Sequence, residues 1–406
     1  MEPRPASSAA LPASGVPGVV RMRPEPARLA RRGQPWFFAD DLQDPVPPET
    51  LVRVRDHEGR DLGLGLTSTR SKLALRLCGP WEGDGVPDRE AFFARRLGAA
   101  LERRSHLLGP EDGARLVHGE ADALPGLVVD RYASVLVLQV TAAFVEASLD
   151  AVVPFLVARL QPKAVVARND VGTRRFEGLP QEVRLLHGTQ VETVDMVEHG
   201  IRHAIRPWTG HKTGFYLDQR PARAAVRALA QGRTVLDLFS YQGGFSLAAL
   251  AGGARSATAC DQSEEALACA AAAAQRNGLQ GLETVAANVF DHVRALREAN
   301  RQYGLVVLDP PAFAKSRREL AGGLRGYRDL NRHALRLLEP RGLLVTCTCS
   351  HHVDLPSFEN VLRQAAAGLP FRVLLRQRLG AGEDHPVWIS HPESEYLKVL
   401  VLERAD

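Results

Sequence analysis

The chain has 406 residues, of which 45% are hydrophobic and 24% are charged, and its net charge at pH 7 is +4. This length exceeds what one hydrophobic core usually organises, so a soluble protein of two or three domains is expected. No stretch approaches the roughly 18 uninterrupted apolar residues of a transmembrane helix, which excludes a helical membrane protein.

Residues 1–20 are rich in Pro, Ala and Ser and lack the basic and apolar regions of a signal peptide. We therefore expect a disordered tail and a cytoplasmic protein, and Met22 is an alternative start. Residues 21–85 are predicted to form an all-β module. In this module, the stretch TLVRVRDHEGRDLGLGLTS alternates in polarity and turns at Glu58-Gly59.

Arginine is concentrated in two segments of the N-terminal half. The segment RMRPEPARLARR (21–32) has five arginines and ARRLGAALERR (94–104) has four, each against one glutamate. Two interpretations stay open: solvated faces, or a surface that contacts the phosphates of a nucleic acid.

Residues 86–200 are predicted to form a middle α+β domain. Phe93, Leu97 and Leu101 recur at the spacing of a helix face. Strands are expected at LPGLVVDRY, SVLVLQVT and AVVAR, with a helix near 145–160 between the last two, and a hairpin should turn at His199-Gly200.

From residue 201 to 406 short apolar runs alternate with Ala-rich helical stretches. The runs are TVLDLFS, SATACD, LVVLDPP and LLVTCTCS. This alternation predicts a parallel, doubly wound α/β domain.

The first of these runs leads into a candidate cofactor site. Gly243 and Gly244 would let the backbone approach a ligand at the start of a helix, and Asp237 ends the strand before them. Asp261 ends the next strand, 24 residues later, where an acidic residue commonly binds ribose hydroxyls. The alternative for Asp261 is a helix cap. Because GxGxxG and P-loop patterns are absent, a pyrophosphate ligand is disfavoured.

The third and fourth runs end in further candidate site residues. In LDPP, two prolines follow Asp309 and hold a rigid loop, in which Asp309 would bond the edge of a planar base; the alternative is an ordinary Pro-rich turn between a strand and a helix. In TCTCS, Cys347 and Cys349 could be packing residues or could include a nucleophile. The five cysteines show no CxxC pair, so neither a zinc site nor a disulfide framework is expected.

Taken in order, DLFSYQGGF, CDQS, ANVFD, LDPPAF and TCTCS resemble the class I S-adenosylmethionine-dependent methyltransferases. RRGQPWFFADDL, HGEADALPGLVVDRY, TGHKTGFYLDQR, RGYRDLN and DHPV are similar to the RlmI-like bacterial 23S rRNA cytosine-C5 methyltransferases. The resemblance runs from about residue 21 over nearly the whole chain. It implies an N-terminal PUA-like RNA-binding barrel, a middle α+β domain and a C-terminal Rossmann-like methyltransferase domain.

The resemblance also implies an S-adenosyl-L-methionine site. Asp261 would take the ribose, and Asn288, where related enzymes often have Asp, would lie by the adenine. Gln219 and Arg220 would close over the cofactor. The residues on its methionine side would be Asp237, Phe239, Gly243 and Gly244.

For catalysis, the resemblance implies that Cys349 is the nucleophile, Asp309 binds the cytosine edge and Cys347 serves packing. Pro310, Pro311 and Lys212 would bind the substrate, and no metal is expected. Related RNA cytosine methyltransferases carry a second cysteine, which assists release, where this chain has Ala312.

The partner implied by the resemblance is 23S rRNA or a large-subunit assembly particle, with no membrane; a homodimer is left open. Two other functions remain. One is methylation of a base nitrogen of guanine in rRNA, which needs no thiolate. The other is a non-catalytic RNA-binding factor for ribosome assembly, which would not need a cofactor site.

Overall fold

The computed structural model describes residues 18–83, 85–109, 112–314 and 316–406. These residues form three larger sheets and one separate two-stranded hairpin. The first sheet belongs to an N-terminal module, and the last belongs to a C-terminal α/β domain. In this described part, no helix is both long and apolar enough to cross a membrane.

The N-terminal module is a five-stranded sheet with the order β1-β3-β4-β5-β2 and one short helix. Glu58 and Gly59 lie in the turn between its third and fourth strands, which confirms the predicted turn. The elements are β1 (Val19–Arg21), α1 (Pro24–Arg31), β2 (Trp36–Phe37), β3 (Leu51–Arg55), β4 (Asp61–Thr67) and β5 (Leu75–Gly79).

The predicted disordered tail is wrong at its C-terminal end. Val19 and Val20 lie in β1, which pairs in parallel with β3, and Val20 is buried in the core of the module. This strand has only three residues, which is too short for an alternation of polar and apolar residues to reveal it from the sequence. The remainder of the predicted tail, residues 1–17, lies outside the described residues.

The second arginine segment does not form a free basic surface. Arg104 is buried and makes a bidentate bond to Asp122, which also accepts from Arg103. Arg96 donates to the carbonyls of Cys78 and Pro80. The interpretation of residues 94–104 as a phosphate-contacting surface is therefore wrong for these three arginines, because they hold helix α2 (Arg89–Arg103) against its neighbours.

The middle part of the chain is a second five-stranded sheet with the order β10-β9-β8-β7-β6. Phe93, Leu97 and Leu101 are buried on α2, as predicted. Its other elements are β6 (Gly113–His118), β7 (Leu127–Tyr132), β8 (Val135–Val140), α3 (Ala143–Glu146), α4 (Leu149–Leu160), β9 (Ala164–Arg168) and β10 (Val183–Gly188).

A hairpin of β11 (Val194–Glu198) and β12 (Ile201–Ile205) follows the second sheet. His199 and Gly200 form its turn with φ of +51° and +80°. The predicted hairpin is confirmed, since two positive φ values in a two-residue loop match the twist of the strands.

The C-terminal part is a seven-stranded sheet with the order β15-β14-β13-β16-β17-β19-β18, in which β13 to β17 are parallel. The predicted alternation of strands and helices is confirmed. The strands are β13 (Thr234–Leu238), β14 (Ser256–Asp261), β15 (Leu282–Ala286), β16 (Tyr303–Leu308), β17 (Leu338–Thr348), β18 (Val373–Leu379) and β19 (Lys398–Arg404). The helices are α5 (Arg220–Leu229), α6 (Gly244–Ala251), α7 (Glu264–Arg276), α8 (Val289–Glu298), α9 (Leu320–Arg336) and α10 (Leu355–Ala366).

Buried polar contacts join the middle sheet to the C-terminal part. Thr213 donates to Asp130 over 2.5 Å and lies 2.8 Å from the Tyr132 hydroxyl, which accepts from the backbone N–H of Phe215. Arg104 also donates to the carbonyl of Asp384. Two of the most specific sequence motifs, LPGLVVDRY and GHKTGFYLDQR, therefore meet at this junction.

Candidate active site

A cavity of about 540 Å³ opens at the carboxyl ends of the parallel strands β13, β14, β16 and β17. The chain reverses its direction of winding between β13 and β16, which is where open α/β sheets bind ligands. The cavity is lined by residues from six chain segments: His211, Lys212, Phe215, Tyr216, Asp218, Gln219, Arg223, Phe239, Ser240, Tyr241, Gln242, Gly244, Phe245, Asp261, Gln262, Asp309, Pro310, Pro311, Cys349, His351, Tyr396 and Leu397.

The loop after β13 has an unusual backbone. Phe239 and Tyr241 have φ of +63° and +49°, although neither is glycine, and Gly243 has φ of +70°. Such conformations cost free energy in a residue with a side chain and are concentrated at functional sites. At Gly243 an added Cβ would lie 2.8 Å from the Cβ of Ala270, so the turn requires glycine.

Asp237 lies beneath this loop and bonds the first turn of helix α6, which follows it. Its Oδ2 accepts from the backbone N–H and the hydroxyl of Ser246, in the first turn of α6, at 3.0 and 2.7 Å. Burial raises the pKa of Asp237 to about 7. Of the four residues expected on the methionine side, Phe239 and Gly244 line the cavity, whereas Asp237 and Gly243 shape the turn beneath it.

Asp261 lies in the cavity wall at the end of β14. Its two carboxylate oxygens accept from the backbone N–H groups of Tyr241 and Ser263, at 2.8 and 3.0 Å. The N-cap of α7 is Ser263, whose side chain accepts from Ala266. Asp261 therefore does not cap the helix, and it lines the cavity.

Asn288 caps α8. Its side-chain oxygen accepts from Phe290 and Asp291, and the residue is exposed and outside the cavity wall. Two residues later, Phe290 packs edge-on against Phe239 with ring centroids 6.3 Å apart. The start of α8 thus reaches the rim of the cavity through Phe290.

Gln219 and Arg220 point in different directions. Gln219 is buried in the wall and donates to Asp309 over 3.0 Å. Arg220 lies outside the cavity and bonds Glu198, the carbonyl of Gly113 and Asp384. The structure therefore brings Gln219, and not Arg220, to the site; the guanidinium in the wall belongs to Arg223.

Lys212 is bound to a buried carboxylate that the sequence did not single out. Its Nζ donates to Asp218 over 2.7 Å and lies 4.3 Å from the ring centroid of Tyr216. Asp218 also accepts from the Tyr396 hydroxyl over 2.7 Å. Although burial opposes it, Lys212 holds the pKa of Asp218 well below its usual value, so this carboxylate is ionised. No motif links residues 218 and 396, so sequence reasoning missed this pair.

Asp309 is held at the end of β16 before Pro310 and Pro311, and all three line the cavity. Burial, with the nearby charge of Asp218, raises the pKa of Asp309 to about 7. Near neutral pH this carboxyl can therefore both donate and accept a proton.

The two cysteines of β17 and its end occupy different environments. Cys347 is fully buried in the core that β17 and β19 share, opposite Val399. Cys349 is half-buried and lines the cavity. Burial, and next the charge of Asp309, raise the pKa of the Cys349 thiol, so the thiolate needs a nearby proton acceptor.

Comparison with protein families identifies the architecture. Residues 20–78 match the PUA-like domain family, and residues 146–380 match the S-adenosylmethionine-dependent methyltransferase family. The ribosomal RNA large subunit methyltransferase I of Shewanella frigidimarina is 37% identical over 94% of this chain and 98% of its own. That of Aeromonas salmonicida is 36% identical over 91% and 95%.

The chain belongs to the ribosomal RNA large subunit methyltransferase I family. The predicted S-adenosylmethionine-dependent methyltransferase with a PUA-like module is thereby confirmed. In fold, the chain resembles a methyltransferase solved in complex with SAH, with a TM-score of 0.82 at 22% identity over 95% of this chain and 99% of that one. A methyltransferase from Streptococcus mutans gives 0.80 at the same identity and coverage.

The cavity of this family member fits S-adenosylmethionine. Its volume lies in the ordinary range for small-molecule sites, roughly 300–1,000 Å³. A cationic, hydroxyl-bearing ligand needs acceptors, and Asp261 offers them in the wall. The buried Oδ1 of Asp237 and Oε1 of Gln219 have no hydrogen-bond partner within the described part of the chain. Because they line the cavity, Asp261, Phe239 and Gly244 would hold the cofactor.

Replacing Asp261 by alanine should weaken S-adenosylmethionine binding without unfolding the domain. A hydrogen bond to a charged group contributes roughly 1.5–3 kcal/mol, so the dissociation constant should rise about ten- to a hundredfold in titration calorimetry. Ser263→Ala, which removes the true helix cap, is the matched control and should lower thermal stability with little effect on affinity. Unchanged affinity in Asp261→Ala would remove this residue from the cofactor site.

Proposed function

We propose that this enzyme methylates carbon 5 of a cytosine in 23S rRNA. The observation that carries the proposal is Cys349, which lies at the carboxyl end of β17 and lines the same cavity as Asp309 and the cofactor residues. The curated relatives are named for the large-subunit ribosomal RNA, and the N-terminal match is to a PUA-like domain. Both support an RNA substrate, either as free rRNA or within a large-subunit assembly particle.

The chemistry of carbon 5 explains the need for a thiol. This atom is a weak nucleophile until a thiolate adds to carbon 6, which makes the ring enamine-like. In the proposed reaction the Cys349 thiol passes its proton through the carboxyl of Asp309 to ring nitrogen 3, while its sulfur bonds carbon 6 and the electrons of the double bond shift toward that nitrogen. S-adenosylmethionine supplies the electrophilic methyl group that the activated carbon 5 accepts. Loss of the carbon-5 proton then restores the double bond and expels the thiolate.

Asp309 is proposed to donate the proton that ring nitrogen 3 receives in the first step. With a pKa near 7, its carboxyl can donate to ring nitrogen 3 while its other oxygen accepts from the amino group of cytosine. The donor stabilises the charge that develops as Cys349 adds. Gln219, bonded to Oδ2, fixes the orientation of the carboxyl. At the loop position where related enzymes have a second cysteine this chain has Ala312, so the carbon-5 proton must pass to another group or to water.

The decisive test is bisulfite sequencing of 23S rRNA from cells with and without the gene, followed by complementation. One cytosine that is protected from conversion only when the gene is present supports the proposal. Loss of a modified guanine instead would favour base-nitrogen methylation. If rRNA modification is unchanged and calorimetry detects no S-adenosylmethionine binding, a non-catalytic assembly factor is the better description.

RNA binding should depend steeply on salt. In α1 and its flanks, Arg28 pairs with Glu25, Arg31 with Asp56 and Arg21 with Asp44, so three of the five arginines of segment 21–32 have carboxylate partners and its neutralisation is partial. Phosphates bound by such arginines release counterions, and the logarithm of affinity should fall by roughly 0.7–0.9 per contact for each tenfold rise in salt. Filter binding of 23S rRNA between 50 and about 200 mM salt measures this slope. A flat dependence would exclude a charge-driven interface.

A further inference from the structure

A short helical turn of the middle domain presents an aromatic and a basic side chain to solvent. In the 3-10 turn Gly172–Glu177, Phe176 is 58% exposed, and the Arg175 guanidinium lies 5.2 Å from its ring centroid. A single exposed ring is common on a protein surface, so it is the guanidinium over its face that distinguishes Phe176.

The neighbours of these two residues hold the turn rigidly. Arg174 is buried and donates to the carbonyls of Val140 and Pro180 and to Glu146. Glu177, also buried, accepts from Ser68 over 2.9 Å and pairs with Arg76. The turn is therefore fixed by the residues on either side, and Phe176 needs little further ordering to bind a partner.

The same contacts place the N-terminal module beside the turn. Ser68 begins the loop between β4 and β5, and this loop carries the exposed Arg70 and Lys72. The aliphatic part of Arg70 lies about 3.5 Å from where a Cβ at Gly178 would stand, and its guanidinium is 3.6 Å from Glu49. Two domains thus contribute basic groups around one exposed ring.

The turn is also tied to the wall of the active-site cavity. It follows β9, which ends at Arg168, and the Arg168 guanidinium donates to the carbonyls of Pro207 and Gly210, at 3.1 and 2.9 Å. Gly210 precedes His211 and Lys212, which line the cavity. The strand that leads into the turn is thus bonded to the segment that leads into the cavity wall.

We propose that Phe176, with Arg175, Arg70 and Lys72, forms a stacking platform for an unpaired nucleotide of the substrate RNA beside the target base. Sequence-tolerant stacking of a base on an aromatic ring, with cations near the phosphates, is how proteins bind single-stranded RNA. A flat ring with the Arg175 guanidinium over it, and with Arg70 beside Gly178 two residues along the chain, suits a polyanion with planar bases better than an apolar protein surface. The inference rests on the proposed function, because it assumes that the substrate is RNA.

The test uses the full-length enzyme and deproteinised 23S rRNA. Base–aromatic stacking is worth about 1–3 kcal/mol, so Phe176→Ala should raise the dissociation constant and KM for RNA about 5- to 150-fold. kcat and the affinity for S-adenosylmethionine should stay unchanged, because Phe176 lies outside the cavity wall. Phe176→Trp should restore binding, and Arg175→Ala should reduce the salt slope by about one contact.

Leu374→Ala is the matched control, since Leu374 is a large exposed apolar residue on the edge strand β18. It should leave RNA binding unchanged. If Phe176→Ala binds and methylates RNA like the wild type, or if Leu374→Ala weakens binding equally, the platform does not exist. If the wild-type enzyme methylates no RNA at all, the proposed function itself fails, and the two failures are thus distinguishable.

Discussion

Cys349→Ala should abolish methylation while leaving the affinities for S-adenosylmethionine and RNA nearly unchanged. Cys349 is the cavity cysteine, and without its sulfur carbon 5 has no route to the enamine-like form. Activity should fall to the detection limit in a methyl-transfer assay with 23S rRNA. Titration calorimetry and filter binding, performed on the same preparations, measure the two affinities.

Cys347→Ala provides the matched control. Cys347 lies two residues before Cys349, within β17, and it is fully buried in the core that β17 and β19 share. Its replacement should cost about 1 kcal/mol of stability through lost packing and retain methylation. The two cysteines differ in access to the cavity and not in type, so the comparison isolates the nucleophile.

RNA that contains 5-fluorocytidine gives an independent readout of the same step. After methyl transfer, fluorine cannot leave carbon 5 as a proton does, so elimination stalls and the enzyme stays covalently bound. A denaturing gel should show this adduct with the wild type and with Cys347→Ala, but not with Cys349→Ala. An adduct that depends on Cys347 would reverse the assignment of the cysteines. Continued methylation by both variants would contradict the carbon-5 mechanism and favour a base nitrogen.

The sequence predicted well those features that depend on strand ends. The carboxyl ends of parallel strands meet at one edge, so Asp261, Asp309 and Cys349 were expected to lie together, and all three line one cavity. The hairpin at His199-Gly200 and the buried face of α2 also follow from local periodicity. These are cases in which short-range pattern and fold agree.

Features that depend on contacts between segments far apart in the chain could not be predicted in this way. Arg220 follows Gln219 directly, yet it bonds Glu198 and Asp384, each from another segment. Asp218 meets Tyr396 across 178 residues of chain. The arginines of α2 looked like a basic surface but are bound within the fold, since a sequence does not show which carboxylate or carbonyl will face a given guanidinium.

Asp309→Asn should change two measurable properties in opposite directions. Methylation should fall about 10²- to 10³-fold, the usual effect of removing one group that stabilises charge in a transition state. The Cys349 thiol should nevertheless become more reactive toward iodoacetamide. The reason is that the carboxylate of Asp309 contributes to the raised pKa of this thiol, and asparagine carries no charge.

The gain in thiol reactivity of Asp309→Asn should depend on pH. The pKa of Asp309 is raised to about 7, so its carboxyl is neutral well below that pH and negative above it. Variant and wild type should therefore be alkylated at similar rates near pH 6, and the variant should become faster as the pH rises through 7. Both should be measured in the Cys269→Ala background, because Cys269 is the other cysteine of the described residues that is not buried. A variant that loses methylation and gains no thiol reactivity above pH 7 would show that Asp309 does not act beside Cys349. A variant that keeps methylation would remove Asp309 from the mechanism, because a group other than the Asp309 carboxyl must then bind the cytosine edge.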